Sequence, residues 1–113
     1  MTYARIAGVG SCLPEKVLTN KDLEGMMDTS DEWIRERTGI ERRHVAGEDE
    51  TTASLSLIAA QRALEMAGID AEELDMIVVG TCTPDKISPS VATIVQRRLG
   101  IKGCPALDVN AAC

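Results

Sequence analysis

Aromatic side chains are almost absent from this chain, whose 113 residues include one Trp, one Tyr and no Phe. A core made without them is filled by Ala, Val, Ile, Leu and Met. The hydrophobic content of 44% is enough to bury one modest core over this length. Small aliphatic side chains of this kind suit closely packed layers of helices and strands, so we expect an α/β protein.

The chain also lacks the cysteine spacings that bind metals or form disulfide frameworks. Cys12, Cys82, Cys104 and Cys113 are widely separated, and none of them forms a CxxC pair. A zinc site needs clustered ligands, and the one histidine, His44, adds little. The spacing does not resemble a small secreted scaffold either. We therefore expect no metal, and reduced thiols in a cytoplasmic protein. The first three cysteines are interpreted as small apolar fillers.

Positive charge is in the minority, since 12 Lys and Arg face 18 Asp and Glu, for a net charge of −6. This balance argues against nucleic acid as a general partner. No apolar run is long enough to span a membrane, and Gly8, Gly10 and Pro14 interrupt the stretch where a signal peptide would lie. We expect neither nucleic acid nor a membrane among the partners.

One stretch of this acidic chain is nevertheless basic. Residues 35–44 hold four arginines against two glutamates. Such a stretch suits a phosphate-bearing small molecule better than a polyanion, although surface helices often carry similar charge for solubility alone. Composition leaves both interpretations open. The arginines are Arg35, Arg37, Arg42 and Arg43.

Apolar patterning and turn residues predict strands that alternate with helices. The third expected strand is a continuous apolar run, which is typical of a strand covered on both faces. Alternating strands and helices imply βαβ crossovers, so we expect a mainly parallel sheet in an unfinished βαβαβ pattern. The expected strands are 3–9, 41–46, 76–80 and 106–109.

Capping residues predict where the first two helices begin and end. Asn20 is expected to cap a helical turn that runs to residue 27. Thr29 and Glu32 have the spacing of a capping box, which would open a helix through residue 37. Gly39 is expected to end that helix in the left-handed conformation that glycine adopts readily.

Two further helices are predicted in the same way. Thr51 or Thr52 is expected to cap a helix that Gly68 ends, and Ser88 to start another with Pro89 at its first position. Each has an apolar stripe at spacings of three and four residues. The stripes are Leu57, Ala60, Leu64 and Ala67 in the first, and Val91, Ile94, Val95 and Leu99 in the second.

Cys113 follows the last predicted strand, at the edge of a parallel sheet where reactive residues collect. The amides of a helix that began there would stabilise a thiolate and lower its pKa. Cys113 is therefore a candidate nucleophile. Free cysteine is also among the most buried residue types, so a core role stays open from position alone.

Three motifs in order along the chain resemble a known family. Residues 29–44 read TSDEWIRERTGIERRH, residues 80–85 read GTCTPD ahead of Ser88-Pro-Ser90, and residues 108–113 read DVNAAC. Together they resemble β-ketoacyl-acyl-carrier-protein synthase III of the thiolase-like superfamily. The resemblance covers residues 1–113 without obvious gaps.

The resemblance implies a five-layered αβαβα sandwich made of two duplicated βαβαβ halves, usually as a homodimer. Residues 1–113 would be most of the first half, an incomplete one, with the second half elsewhere and possibly a separate chain. The family also needs a histidine and an asparagine from that second half, and neither His44 nor Asn110 matches them. We therefore predict that this segment alone is inactive.

The resemblance also implies a reaction and its site. Cys113 would take an acyl group from acyl-CoA, and malonyl-acyl carrier protein would decarboxylate and attack the thioester. This condensation starts type II fatty-acid synthesis, with acyl-CoA as a substrate and no permanently bound cofactor. Trp33 and Arg37 match positions that hold coenzyme A by stacking and by phosphate contact, and Thr29 matches a position beside the adenine. Trp33 as a partly buried anchor, Arg37 as a solvated charge and Thr29 as a helix cap are the alternatives.

The position of Ser88 departs from some relatives, which carry a bulky aromatic there that limits the acyl pocket. A small Ser88, with Ile87 beside it, predicts a pocket for primers longer than acetyl or branched, although Ser88 is also a natural helix cap. Two other functions remain open. One is a condensing enzyme of secondary metabolism with a different acceptor, and the other is a non-catalytic module for acyl-CoA binding or dimerisation.

Overall fold

The computed structural model describes residues 3–111 and divides them into two units. The smaller unit is Leu13–Glu50, and the larger contains the described residues on either side of it. Candidate residue Cys113 lies outside the described residues. None of the described helices combines the length and apolar character needed to cross a membrane.

The smaller unit contains a two-stranded antiparallel sheet and two helices. Strand β1 (Val17–Thr19) leads directly into helix α1 (Asn20–Glu24), and helix α2 (Asp31–Thr38) precedes strand β2 (Arg42–His44). The register pairs Val17 with His44 and Thr19 with Arg42. The short strand predicted within 41–46 is thus confirmed. Its partner β1, which is also three residues long, was not predicted from the sequence.

Asn20 does not cap α1, so that prediction is wrong. Thr19 is the cap: its side chain accepts a hydrogen bond from the Asp22 amide, and the Asp22 carboxylate accepts one from the Thr19 amide. Asn20 is instead 1% exposed. Its side-chain amide donates to Asp31 Oδ1 at 2.7 Å and to the Ile40 carbonyl at 2.8 Å.

The start of α2 is one residue later than the predicted capping box requires. Ser30 is the cap, and its hydroxyl accepts a hydrogen bond from the Trp33 amide at 3.1 Å. The helix ends as predicted at Gly39, which has φ = 70° and whose amide donates to the Arg35 carbonyl at 2.9 Å.

The larger unit contains a parallel βαβ unit and a long helix. Helix α3 (Thr52–Ala67) precedes a 3-10 turn, and strand β3 (Ile77–Gly80), helix α4 (Val91–Arg98) and strand β4 (Ala106–Val109) follow in order. Strands β3 and β4 run parallel. The predicted parallel crossover and both of its strands are confirmed, with β4 at its predicted bounds.

The caps of the larger unit agree in part with those expected. Thr51 caps α3, so the first of the two threonines is the right one, and Gly68 ends the helix with φ = 67°. Ser90 caps α4 by accepting from the Thr93 amide, so the prediction of Ser88 as cap is wrong and Pro89 lies outside the helix.

The core of the larger unit lies between α3, α4 and one face of the β3–β4 sheet. Ala53, Val91 and Val95 are its buried members, and Val79 of β3 packs against them. The predicted apolar stripe of α4 therefore faces the core. On the other face of the sheet, Val78 is 55% exposed. Strand β3 was predicted to be covered on both faces. Among the described residues, it is covered on one face only.

The first predicted strand, 3–9, is not among the strands of the described residues. This segment lies along α3 instead. A Cβ atom at Gly10 would be 2.2 Å from the Ala59 carbonyl oxygen, and one at Gly8 would be 2.4 Å from the Ala63 carbonyl oxygen. Among the described residues the sheets are β1–β2 and β3–β4, and residues 3–9 belong to neither. The predicted βαβαβ order is therefore complete here only from β3 to β4.

Candidate functional site

Strand β4 leads toward Cys113 and is fixed to its neighbours at its carboxyl end. The Asp108 carboxylate accepts hydrogen bonds from the Val91 amide at Oδ2 and from the Ala92 amide at Oδ1, each at 2.8 Å. These are amides of the first turn of α4, which have no partner within their own helix. A carboxylate there also complements the positive end of the helix dipole.

Asp108 was not predicted to be more than part of the motif DVNAAC. The signal was available, because an acidic residue inside the short apolar strand Ala106–Val109 has to find donors when that strand packs on a core. The backbone amides in the first turn of α4, which begins near the same edge of the sheet, are these donors.

A second contact joins the carboxyl ends of β3 and β4. The Thr81 amide donates to the Val109 carbonyl at 3.1 Å, which extends the ladder by one residue. Beyond it, the Cys82 thiol donates to Asn110 Oδ1 at 3.0 Å. Cys82 is exposed, so its interpretation as a buried filler is wrong, whereas Cys12 and Cys104 are half-buried.

The loop after β3 is held against the start of α3. Asp85 Oδ1 accepts from the Ala53 amide at 2.8 Å, and the Thr52 hydroxyl donates to the Thr83 carbonyl at 2.6 Å. Burial alone raises the pKa of Asp85, but hydrogen bonds from Thr51 and from the Ala53 amide outweigh it and hold that pKa below its ordinary value.

Ile87 and Ser88, the candidate acyl-pocket residues, lie between this loop and α4. Both are exposed in the larger unit, and the Ile87 side chain is completely so. Val91, which Asp108 binds, comes three residues after Ser88. Asp108 therefore connects the strand that leads to Cys113 with the helix that follows the candidate pocket residues.

Trp33 and Arg37, the candidate coenzyme A residues, lie one turn apart on α2 in the smaller unit. The Arg37 guanidinium carbon is 5.3 Å from the centre of the indole ring, and Trp33 is 53% exposed. A pocket of about 330 Å³ lies beside the indole and is lined by Asp28, Thr29, Ser30 and Trp33. The structure thus brings Trp33 together with both Arg37 and Thr29.

Two other arginines of the basic stretch, Arg35 and Arg43, have partners within the smaller unit. Arg35 forms an ion pair with Glu41 at 2.9 Å, and its other nitrogen lies 3.8 Å from Asp31. Arg43 donates to Asn20 Oδ1 at 2.9 Å. These contacts support the structure of the unit, and Arg37 is the arginine set beside the exposed indole.

Comparison with known proteins identifies relatives of this chain. No family model matches the chain. A curated β-ketoacyl-acyl-carrier-protein synthase III of Thioalkalivibrio sulfidiphilus is 60% identical over 113 residues, which are 100% of this chain and 35% of that protein. The chain thus spans about a third of the length of the curated relative it matches.

Solved structures agree with the sequence match. A 3-oxoacyl-acyl-carrier-protein synthase III from Aquifex aeolicus superposes with a TM-score of 0.91 at 50% identity, covering 95% of this chain and 34% of that one. A priming β-ketosynthase from a polyketide biosynthetic pathway superposes with a TM-score of 0.92 at 38% identity, covering 96% and 33%.

These matches confirm both the α/β class and the resemblance read from the motifs. The chain is homologous to a segment of β-ketoacyl-acyl-carrier-protein synthase III, and it forms part of the thiolase-like fold.

Proposed function

We propose that this segment carries the nucleophile and part of the coenzyme A site of an enzyme that condenses an acyl-CoA primer with malonyl-acyl carrier protein. The observation that carries the proposal is the 60% identity to a curated β-ketoacyl-acyl-carrier-protein synthase III along all 113 residues. The product is a 3-ketoacyl-acyl carrier protein, which would begin fatty-acid synthesis. The histidine and asparagine that the family uses would come from residues outside this segment.

Cys113 would act twice in this reaction. Its thiolate attacks the carbonyl carbon of acyl-CoA, and the coenzyme A thiolate leaves, so that an acyl-Cys113 thioester forms. The malonyl group then loses CO2, and the resulting carbanion attacks the acyl carbonyl and expels the Cys113 thiolate. Two thioester steps replace one direct condensation, which is the advantage of covalent catalysis.

Trp33 and Arg37 would hold the nucleotide end of coenzyme A. A half-exposed indole offers a flat face for the adenine ring, and a guanidinium is suited to phosphate oxygens. Asp28 and Thr29 line the pocket on the indole, where acidic and hydroxyl groups favour a base over a phosphate. The adenine is therefore assigned to this pocket and the phosphate to the side of Arg37.

A mass measurement tests the nucleophile. The full-length protein is incubated with acetyl-CoA, digested and searched for an acetyl group on the peptide that contains Cys113. We expect the adduct in wild type and in Cys12→Ala, and its loss in Cys113→Ala. A folded protein without the adduct would contradict the catalytic proposal and favour a non-catalytic acyl-CoA-binding module.

A second candidate function is a condensing enzyme of secondary metabolism. It is favoured by the superposition on the polyketide priming β-ketosynthase and by that on a tetronic acid condensing enzyme with a TM-score of 0.82. Malonyl-acyl carrier protein and malonyl-CoA, offered side by side to the acylated protein, separate the two. Consumption of the free CoA ester alone would exclude the fatty-acid proposal.

A further inference from the structure

We propose that Asp108 is a positioning residue that fixes the strand leading to Cys113 against the segment leading to α4, and thereby sets which acyl primers are accepted. The inference rests on the proposed function, because it assigns Cys113 the acyl group and the residues around Ser88 the acyl pocket. Asp108 itself is half-buried within β4 and touches backbone amides, so it has no direct role in bond making.

The link is bidentate. The two carboxylate oxygens each take one amide, Val91 and Ala92, at the same distance of 2.8 Å. Both of these residues are 0% exposed, so water cannot replace the carboxylate as acceptor without entering the core. A fork of this kind fixes the direction of the side chain as well as its distance.

The link joins two segments of the chain, one that leads to the nucleophile and one that follows the candidate acyl-pocket residues. Asp108 lies five residues before Cys113, and Val91 lies three residues after Ser88. Strand β4 is hydrogen-bonded to its neighbour β3 in the parallel sheet. The hydrogen bonds that Asp108 accepts also hold β4 in position relative to the first turn of α4. A shift of that strand end would change the distance between the nucleophile and the acyl pocket.

Ser90 provides a matched control within the same helix turn. Its hydroxyl accepts from the Thr93 amide at 3.2 Å and so caps α4, and it also lies 2.7 Å from the Thr93 hydroxyl. Among the described residues, no hydrogen bond joins it to β4. Ser90→Ala therefore removes both hydrogen bonds to Thr93 and leaves the strand link intact. Asp108→Asn keeps the side-chain shape and replaces one acceptor oxygen by an NH2 group that faces a backbone N–H.

The experiment compares the full-length wild type, Asp108→Asn and Ser90→Ala. The kcat/KM is measured with acetyl-CoA and with a longer, branched acyl-CoA, and the rate of iodoacetamide reaction at Cys113 is followed against pH by peptide mass spectrometry. We expect Asp108→Asn to change the ratio of the two kcat/KM values by about tenfold, as a small misplacement of reacting groups would. We also expect it to move the midpoint of the alkylation profile. Ser90→Ala should lower the thermal midpoint alone.

The outcomes separate this inference from the proposed function. If Asp108→Asn lowers kcat/KM equally for both primers and leaves the alkylation midpoint unchanged, Asp108 is only a helix cap and the inference is overturned. If wild type forms no acyl-Cys113, the proposed function fails, and with it the part of the inference that concerns acyl primers. The alkylation profiles then still show whether Asp108 positions Cys113. Should Asp108→Asn fail to fold, Asp108→Glu keeps the charge, displaces it by one methylene and is expected to change the same ratio.

Discussion

The Arg37 guanidinium lies over the Trp33 indole, 5.3 Å from the ring centre, on the same face of α2. A cation held over an exposed ring contributes about 0.5–1 kcal/mol, which favours this arrangement of the two side chains. Because the indole is still 53% exposed, it retains area on which a second ring can stack. The pair joins an aromatic surface to a phosphate-binding group within one helix turn.

Trp33→Ala is expected to weaken coenzyme A binding by about tenfold or more, since base stacking on an aromatic side chain contributes about 1–3 kcal/mol. Arg37→Ala should weaken it too, and should reduce the salt dependence of the Kd because a phosphate contact is lost. Calorimetric titration of the full-length protein with coenzyme A at two salt concentrations measures both effects.

Arg35→Ala is the control for this pair, because it removes the same charge from the same helix, where Arg35 binds Glu41 instead. It should leave coenzyme A affinity within about twofold of wild type, as expected for a surface pair. Equal losses in Arg35→Ala and Arg37→Ala would mean that net charge alone attracts the ligand, and the assignment of Arg37 would be wrong.

Asn20→Ala is expected to destabilise the smaller unit by about 1–3 kcal/mol, because it leaves buried polar partners unsatisfied. Asn20 is 1% exposed and joins Asp31, Ile40 and Arg43 through three hydrogen bonds. Hydrogen exchange of peptides from residues 13–50, followed by mass spectrometry, reports the local loss of stability. Exchange rates equal to those of wild type would show that water replaces the three bonds without cost.

The difference between Asn20 and its predicted role shows what the sequence can and cannot specify. Glycines past helix ends, such as Gly39 and Gly68, were identified correctly because few other residues adopt their positive φ. The starts of α1, α2 and α4 were placed one or two residues away, since neighbouring Ser, Thr and Asn residues cap almost equally well. Contacts made by distant residues decide among them, and Arg43 is one that Asn20 meets only after folding.

The same distinction applies to the candidate site. Short patterns were enough to find the helix with Trp33 and the strand before Cys113, because both are local. The bond from Asp108 to Val91 spans 17 residues and depends on how a crossover helix packs on its sheet. Such a contact follows from tertiary structure, and the sequence indicates it only through an acidic residue in an apolar strand.

Asp85→Asn is expected to reduce the acid sensitivity of the protein. The folded pKa of Asp85 lies below its ordinary value of 3.8, so the ionised group stabilises the fold above that pH. This stabilisation is lost as the pH falls through the lower, folded pKa. The thermal midpoints of wild type and Asp85→Asn should therefore differ most near neutral pH and converge in acid.

The check is a set of melting curves from about pH 6 down to about pH 2.5, a window that spans carboxylate titration. Asp75→Asn makes the same change in net charge and serves as the control. A gap between wild type and Asp85→Asn that stays constant across the window would contradict a role for the ionised carboxylate at the start of α3.

Gly10→Ala is expected to destabilise the larger unit by about 1–3 kcal/mol, as overpacking does. A Cβ atom at Gly10 would be 2.2 Å from the Ala59 carbonyl oxygen and 2.6 Å from the Ala63 amide nitrogen, both backbone atoms of α3. Gly103→Ala is the matched control, because its Cβ would meet nothing within 4 Å. The free energies of unfolding from denaturant titration, with hydrogen exchange along α3 to locate the change, measure the difference. If both substitutions cost the same, residues 3–12 are free to move away from α3, and the close approach does not hold the segment in place.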